Sequence, residues 1–484
     1  MDGKCESNEV VPSYQAVSAL RQVHWVMLTN GRLWRLYSSR VSSSSTNYLE
    51  VDLDGVTSDN DARLLYFVSL FSAASLAPKP SGSDLDSIFE GGLKYAQEIK
   101  DELSSKVFEG QLFLNLVRAV IAHSPSRVYK EDELEKGKAT ALRLLYRMLF
   151  ILYAESRNLL PVNNPNYSSF DRGIRQRLGD FEKLPEGPEL WRVLTILFRS
   201  IENGDAKAGV PTYDGELFRQ DQDLDDLQPK NEYLAPAIRE LTEIGGKGID
   251  YQNLGVRHLG SLYEALLEYD VRQAEEDLVV YKDGTLDAAY AADLKAKPKP
   301  FVAKGELHLS SRGLARKGTG SYYTPDELVR FLAKNGLHHV LESRRKSFEA
   351  HIAELNAKRE KDSDLEKVAI DDLLGIKVVD PAMGSGHFLV AAVDHITGWI
   401  MDILKEHPEA PLARIIDEDR EKVIKEQKEK GIEISTELLS DSIILKRLVT
   451  KRCVYGVDIN PLAVELAKLS LWLDSFHVDE PDHY

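Results

Sequence analysis

The chain has 484 residues, 43% apolar and 29% charged, enough for a substantial core and, at roughly 100 to 200 residues per domain, two to four domains. Its 61 Lys and Arg against 78 Asp and Glu give a formal net charge of −17, which opposes non-specific attraction to nucleic acid and leaves only local, basic contacts. Two cysteines, Cys5 and Cys453, exclude a disulfide framework and fit a reducing cytoplasm, and the strongest apolar run, Leu144 to Tyr153, contains an arginine and falls short of the ~20 residues of a membrane span.

In chain order, Tyr14 to Gln22 reads as a short helix, His24 to Leu28 and Leu33 to Tyr37 as strands around an Asn30-Gly31 hairpin turn, and Tyr48 to Leu53 as a third strand after the polar spacer Ser42 to Thr46. This is too little for a complete domain, so residues 1–58 are expected to be the remnant of a larger region. From Asp61 to about Asp270 apolar residues recur three and four apart, through Ala62 to Leu76, Ile88 to Ile121 and Ala139 to Leu160, which predicts a helical connector domain over 59–290. Leu259 to Glu268 continues that period, and after Tyr281 the pattern becomes loop-like. Residues 291–319 read as a basic linker: KAKPKP at Lys295 to Pro300, then Lys304, Arg312, Arg316 and Lys317. It is either solvated or a phosphate-contacting strip beside a cofactor domain.

Chemistry begins at Ile376 to Phe388, IKVVDPAMGSGHF. An apolar strand ends at Asp380, a Gly384-Ser385-Gly386 turn follows, and a helix begins near His387. Glycines there let main chain approach a ligand closely, facing it with unpaired helix amides. Without a ligand, the same residues make a tight strand-to-helix turn. Further on, Cys453 to Val457 reads as a strand ending in Asp458-Ile459-Asn460-Pro461, with Asn460 to cap the next helix and Pro461 in its first position. Asp458 then lies at a strand end, where an acid accepts from ribose hydroxyls; otherwise it only helps the cap. Leu462, Leu466, Leu469 and Leu473 are spaced to face a sheet. A dinucleotide fingerprint would need glycine where Leu389 stands and an acid about 20 residues on, so a dehydrogenase is disfavoured. The intervening Ile400 to Lys451 reads as a charged helical insertion. Upstream, Thr324-Pro325-Asp326-Glu327 within GSYYTPDELVRF is a capping box, whose hydroxyl and helix amides could also hold a ligand carboxylate, with Tyr322 or Tyr323 as a wall.

GSYYTP, DPAMGSGHFL and YGVDINPLAVELAKLSLWL, in this order, resemble the adenine-specific DNA methyltransferases, above all the methyltransferase half of fused type II restriction-modification enzymes. LRLLYRMLFILYAESRNLLPV at Leu142 to Val162 and HLGSLYEALLEY at His258 to Tyr269 are similar to that family's connector helices, and TNGRLWRLY at Thr29 to Tyr37 to the last strands of its nuclease-like region. The resemblance implies an α/β plus α chain, with an incomplete Rossmann-like methyltransferase domain over 320–484. It implies a cytoplasmic protein that acts on double-stranded DNA and binds S-adenosyl-L-methionine through Tyr322, Thr324, Pro325, Asp380, Ala382, Gly384, Gly386, Phe388, Asp458 and Ile459. The methionine moiety is expected near Asp380, Gly384, Gly386 and Thr324, and the ribose on Asp458.

The sequence departs from the family in one place. An Asn-Pro-Pro-aromatic motif belongs well after the ribose acid, whereas the sequence stops at Tyr484, 26 residues past Asp458. The sheet is therefore expected to be cut short with an exposed apolar edge, and the chain alone to bind cofactor weakly without methylating. Asn164-Pro165-Asn166-Tyr167 reads as a turn in place of that motif, and Glu98-Ile99-Lys100 with Asp86 upstream as a helix face in place of a nuclease metal site, so no catalytic or metal residue is assigned. Two alternatives stay open: an RNA or protein acceptor, and a non-catalytic interaction module that pairs with a second chain.

Overall fold

The computed structural model describes residues 25–38, 48–54, 62–80, 82–108, 110–156, 160–162, 164–167, 178, 180–210, 217–249, 251, 260, 266, 269–280, 286–288, 301–311, 324, 326–358, 362–407, 412–429 and 439–475. The expected helix Tyr14 to Gln22, the Ser42 to Thr46 spacer, the KAKPKP strip, Tyr322, Tyr323 and Pro325 lie outside them.

Asn30 and Gly31 turn the chain as expected. Asn30 Oδ1 accepts the amides of Arg32 and Leu33, and Gly31 takes a φ of 89°. The flanking residues pair as β1 (Trp25–Thr29) and β2 (Leu33–Ser38), joined by β3 (Tyr48–Asp52) in an antiparallel sheet of order β1-β2-β3. Leu36, Val51, Phe71 and Leu85 form its core, and Trp34 meets Phe67 edge-on at 4.9 Å.

The connector is helical: α1 (Ala62–Phe71), α2 (Ala73–Leu76), α3 (Asp84–Phe108), α4 (Leu112–Val120), α5 (Glu131–Ser156), α6 (Glu189–Asn203), α7 (Gln222–Asp225) and α8 (Asn231–Thr242). The period read as continuous from Ile88 to Ile121 is broken at Gly110, where a Cβ would fall 2.5 Å from the Lys106 carbonyl oxygen. The second half of α5 is the centre of this core, buried on nearly every side. Its Arg147 is accommodated by donating to the carbonyls of Leu217 and Arg219 while lying over the Phe198 and Phe218 rings.

Two readings are corrected here. The end of the stretch read as helical connector contains β4 (Glu243–Ile244), β5 (Lys247–Gly248), β6 (Tyr269–Gln273) and β7 (Leu278–Val280), and the stretch read as loop and basic linker contains β8 (Leu286–Ala288), β9 (Phe301–Val302) and β10 (Leu307–Ser311). β10 pairs antiparallel with β6, and Leu307 joins the connector core. Alternation over so few residues is masked by the neighbouring Lys and Pro. The second correction concerns apolar length: α11 (His387–Glu406), following α9 (Asp326–Lys358), α10 (Asp362–Leu373) and β11 (Val378–Asp380), contains 18 residues apolar enough to cross a membrane. They serve as the central core helix, with Val393, Ile396, Ile400 and Ile403 fully buried.

The charged insertion folds as α12 (Leu412–Glu429) and α13 (Asp441–Cys453), followed by β12 (Val454–Gly456) and α14 (Pro461–Ser475). β12 pairs in parallel with β11, Val378 opposite Val454 and Asp380 opposite Gly456. Of the leucines expected to face the sheet, Leu466 and Leu469 of α14 pack on the connector instead, while Ala467 and Leu471 turn toward the core that holds α11 and β12. A helix apolar on two faces sits between two cores, and periodicity alone does not say which face meets which.

Candidate functional site

The strands β11 and β12 end side by side, and their main chains run on together. Val457 N–H donates to the Asp380 carbonyl at 2.9 Å, and Met383 N–H to the Val457 carbonyl at 3.0 Å. Beyond this ladder the chain from β11 turns through Gly384 (φ 52°) and Gly386 (φ 82°), both left-handed, into the N-terminus of α11. Among the described residues no side chain caps that helix end, and no acid occupies its first turn, so the end keeps the partial positive charge of a helix N-terminus.

The acid predicted on the second strand reaches this turn. Asp458 Oδ2 accepts the Gly384 amide at 2.9 Å and Oδ1 the Asn460 amide at 2.8 Å. Asp458 therefore orders the start of α14, as the capping reading has it, and it also fastens the glycine turn, a contact the sequence did not indicate. A carboxylate offers about four lone-pair positions. Among the described residues two are used here, and the side chain is half-buried. Asp380, also half-buried, accepts the Ala382 amide at 3.1 Å. Ile459 is fully exposed beside them.

The structure thus brings Asp380, Ala382, Gly384, Gly386, Asp458 and Ile459 together at the strand ends. Phe388 lies on the other side of β11, lining a cavity of about 390 Å³ with Leu332, Leu337, Val379 and Asp380. That cavity lies between α9 and β11 and does not include Gly384, Gly386 or Asp458. Thr324 is half-buried, two residues before α9.

Three contributors escaped the sequence reading. Gly456 is required because a Cβ there would collide with Met383 Sδ and lie 2.8 Å from Leu389 Cδ1; an isolated glycine in a strand was its available signal. Lys446, fully buried, pairs with Asp394 of α11 at 2.6 Å and Asp474 of α14 at 2.7 Å, fixing the helices that follow the two strand ends. Gly260 of the connector abuts Ser385. Nothing in the sequence marked either of the last two.

The two motifs set aside in the sequence have structural partners. Tyr167 is buried with its hydroxyl on Glu155, and Asn164 and Asn166 both donate to the Lys207 carbonyl, so Asn164-Pro165-Asn166-Tyr167 is a structural turn. Asp86 accepts from Trp25 and Ser83, Ile99 is buried, and Glu98 pairs with Lys94 along α3.

Residues 355–482 match the model of the MmeI DNA-methyltransferase domain, a span that covers α10 to α14 and hence both strand ends. Over 367 residues the chain is 31% identical to a putative type II restriction enzyme and methyltransferase of Methanocaldococcus jannaschii, a match covering 71% of this chain. The chain spans about a quarter of the length of that curated relative. No solved structure matches it. These similarities support a methyltransferase domain of the restriction-modification kind.

Proposed function

We propose that the chain carries the cofactor-binding part of an S-adenosyl-L-methionine-dependent DNA methyltransferase of a restriction-modification system, directed at the exocyclic N6 amine of adenine in double-stranded DNA. One observation carries this reading: two parallel strand tips lie side by side, with bare main chain at Gly384 and Gly386 on one and the Asp458 carboxylate on the other. Similarity to the MmeI domain over the same residues supports the methyltransferase part. Adenine as acceptor rests on the likeness and order of the three motifs.

The roles follow from chemistry. Main chain at Gly384 to Gly386 and the open end of α11 take the polar end of the methionine moiety, and Asp380 faces its ammonium. Asp458 accepts from the ribose hydroxyls with the lone pairs its backbone bonds leave free. Ala382 and Ile459 supply apolar contact beside the turn, Phe388 borders the neighbouring cavity under α9, and the resemblance assigns Tyr322, Thr324 and Pro325 to the same cofactor. When bound, S-adenosyl-L-methionine supplies an electrophilic methyl group on sulfur. A flipped adenine needs acceptors for its amine hydrogens and an aromatic face, and holding it in line accounts for much of the rate. No Asn-Pro-Pro-aromatic series occurs among the 484 residues. The chain by itself is therefore expected to bind cofactor without transferring methyl groups. A cytoplasmic location accompanies this reading.

Calorimetric titration with S-adenosyl-L-methionine and transfer of tritiated methyl groups to DNA test it. Binding without transfer is expected; absence of binding removes the cofactor reading, and transfer by this chain alone removes the claim that the acceptor site lies elsewhere.

A second reading is favoured by the apolar surface around the short sheet. Val379, Val457 and Phe331 are 60%, 59% and 61% exposed, as a module that pairs with a second chain would leave them. A soluble, folded monomer in sedimentation argues against it, and insolubility relieved by co-expression with a partner supports it.

A further inference from the structure

Gly260 belongs to the connector, far from the glycine turn in sequence, yet it is buried against that turn. A Cβ on Gly260 would sit 2.5 Å from Ser385 Oγ and 2.9 Å from Ser385 Cβ, well inside van der Waals contact. Ser385 is itself buried and is the middle residue of Gly384-Ser385-Gly386. Rotation about χ1 would move Oγ aside. It would not move Cβ, which is fixed to the main chain of the turn.

A second contact reaches the turn through α14. Its Leu466 and Trp472 belong to the connector core, with the Trp472 and Phe150 rings 5.2 Å apart. On the opposite side Ala467 supports Gly386, where a Cβ would lie 3.0 Å from Ala467 Cβ and 3.1 Å from its Cα. The turn is thus bounded by the connector directly at Ser385 and indirectly at Gly386.

We infer that Gly260 is a positioning residue for the glycine turn, and that docking of the connector and occupancy of the turn are thermodynamically coupled. The inference rests on the cofactor reading for the identity of the ligand. Its physical basis is packing: close-packed interiors pass displacements on, so a connector that shifts at Gly260 shifts Ser385 and the amides on either side. Coupling is reciprocal, so a ligand in the turn also stiffens the connector contact. Passive packing would instead change stability and leave ligand affinity alone.

The test compares, in the full chain, Gly260→Ala, Ser385→Gly, the double variant, and Gly91→Ala, a glycine of α3 with open space at its Cβ. The readouts are affinity for S-adenosylhomocysteine by calorimetry and hydrogen-exchange protection of the amides from Gly386 to Val390. Gly260→Ala is expected to weaken binding about tenfold or more, and the factor should fall below about threefold when Ser385 is already glycine, the non-additivity that contacting residues show. Protection from Gly386 to Val390 should drop and recover in parallel while that of α4 and α8 holds, and Gly91→Ala should change neither. Wild-type affinity and protection in Gly260→Ala overturn the inference, as does an undiminished loss with Ser385→Gly present. If Gly260→Ala does not fold, the unaltered chain decides by the reciprocal effect: saturating S-adenosylhomocysteine is expected to raise hydrogen-exchange protection of the Gly260 amide, and unchanged protection there overturns the inference. Failure of the unaltered chain to bind S-adenosylhomocysteine counts against the cofactor reading, while exchange in the ligand-free variants still decides the role of Gly260.

Discussion

Asp458 Oδ2 holds the Gly384 amide at 2.9 Å, across the gap between two parallel strand ends. The acid proposed for the ribose therefore also shapes the turn proposed for the methionine moiety. Asp458→Ala strips an acceptor from both Gly384 and Asn460. It should cost about 1–3 kcal/mol of unfolding free energy, the range for leaving a part-buried donor unpaired, and abolish measurable cofactor binding. Asp458→Asn keeps one acceptor oxygen and should fall between. Urea denaturation and calorimetric titration check both; an Ala variant as stable and tight-binding as the parent would detach Asp458 from the site.

Gly386 carries two constraints that alanine cannot meet. Its φ of 82° is left-handed, costing an L-residue about 1–2 kcal/mol. The new Cβ would also press on Ala467 of α14 at 3.0 Å, and overpacking typically adds about 1–3 kcal/mol. Gly386→Ala should therefore lose about 2–4 kcal/mol in urea denaturation. Gly336→Ala, in a helix with nothing near its Cβ, should gain about 0.5–1 kcal/mol. Equal effects at the two positions would contradict the packing of the turn on α14.

The strand ends and the glycine turn were legible because each signal is local: an apolar run, an acid, glycines and a capping residue within a dozen positions. The same holds for the Asn30-Gly31 hairpin. Tertiary choices were not legible. Leu466 and Leu469 have sheet-facing spacing but cover the connector, because α14 has apolar groups on both sides and the second core lies far away in sequence. Gly260 could not be singled out, since a glycine needed for want of a side chain looks like any other. β10 was hidden by its brevity and by the basic residues around it.

Lys446 shows how the two strand ends are held at the level of their helices. Burial alone would lower its pKa, but the carboxylates of Asp474 and Asp394 win and raise it above the ordinary 10.5. A raised lysine pKa contributes stability that is fully present below the unfolded value, so the contribution should be flat from pH 6 to 9 and fade only as pH rises further. Lys446→Met leaves two carboxylates facing each other with no cation. It should cost about 3–5 kcal/mol, as removal of one partner from a buried ion pair does. A loss under about 1 kcal/mol in urea would mean that the pair holds little, as is usual for exposed ones.

Cys453 is buried as the last residue of α13, immediately before β12, and burial pushes its thiol up to about 11 from 9.0. The thiolate is the reactive form, so Cys453 should resist a disulfide reagent at pH 8 in the folded chain and react at once in urea. A Cys5→Ser background isolates it. Rapid reaction in native buffer would show that β12 opens far more readily than its packing suggests.

Lys451, on the last turn of α13, titrates in the opposite sense from Lys446. Burial, the larger cause, and the neighbouring Arg447 charge lower its pKa to about 8, against the pull of Asp419 and Glu426. Between about pH 8 and 10.5 the unfolded chain holds a proton that the folded chain has released, so this group makes stability rise with pH across that window. Cys453 opposes it only above 9.0, where unfolded thiols ionise and the folded one does not, so the slope is cleanest between pH 7.5 and 9. Lys451→Met removes the charge and keeps the stem. It should raise the urea midpoint at pH 7 and reduce its dependence on pH, by less than the full shift would give because the side chain is partly solvated. A lower midpoint for Lys451→Met at pH 7 would mean that the ammonium is stabilised by Asp419 and Glu426 more than it is penalised, and that the start of β12 is anchored by charge as well as by packing.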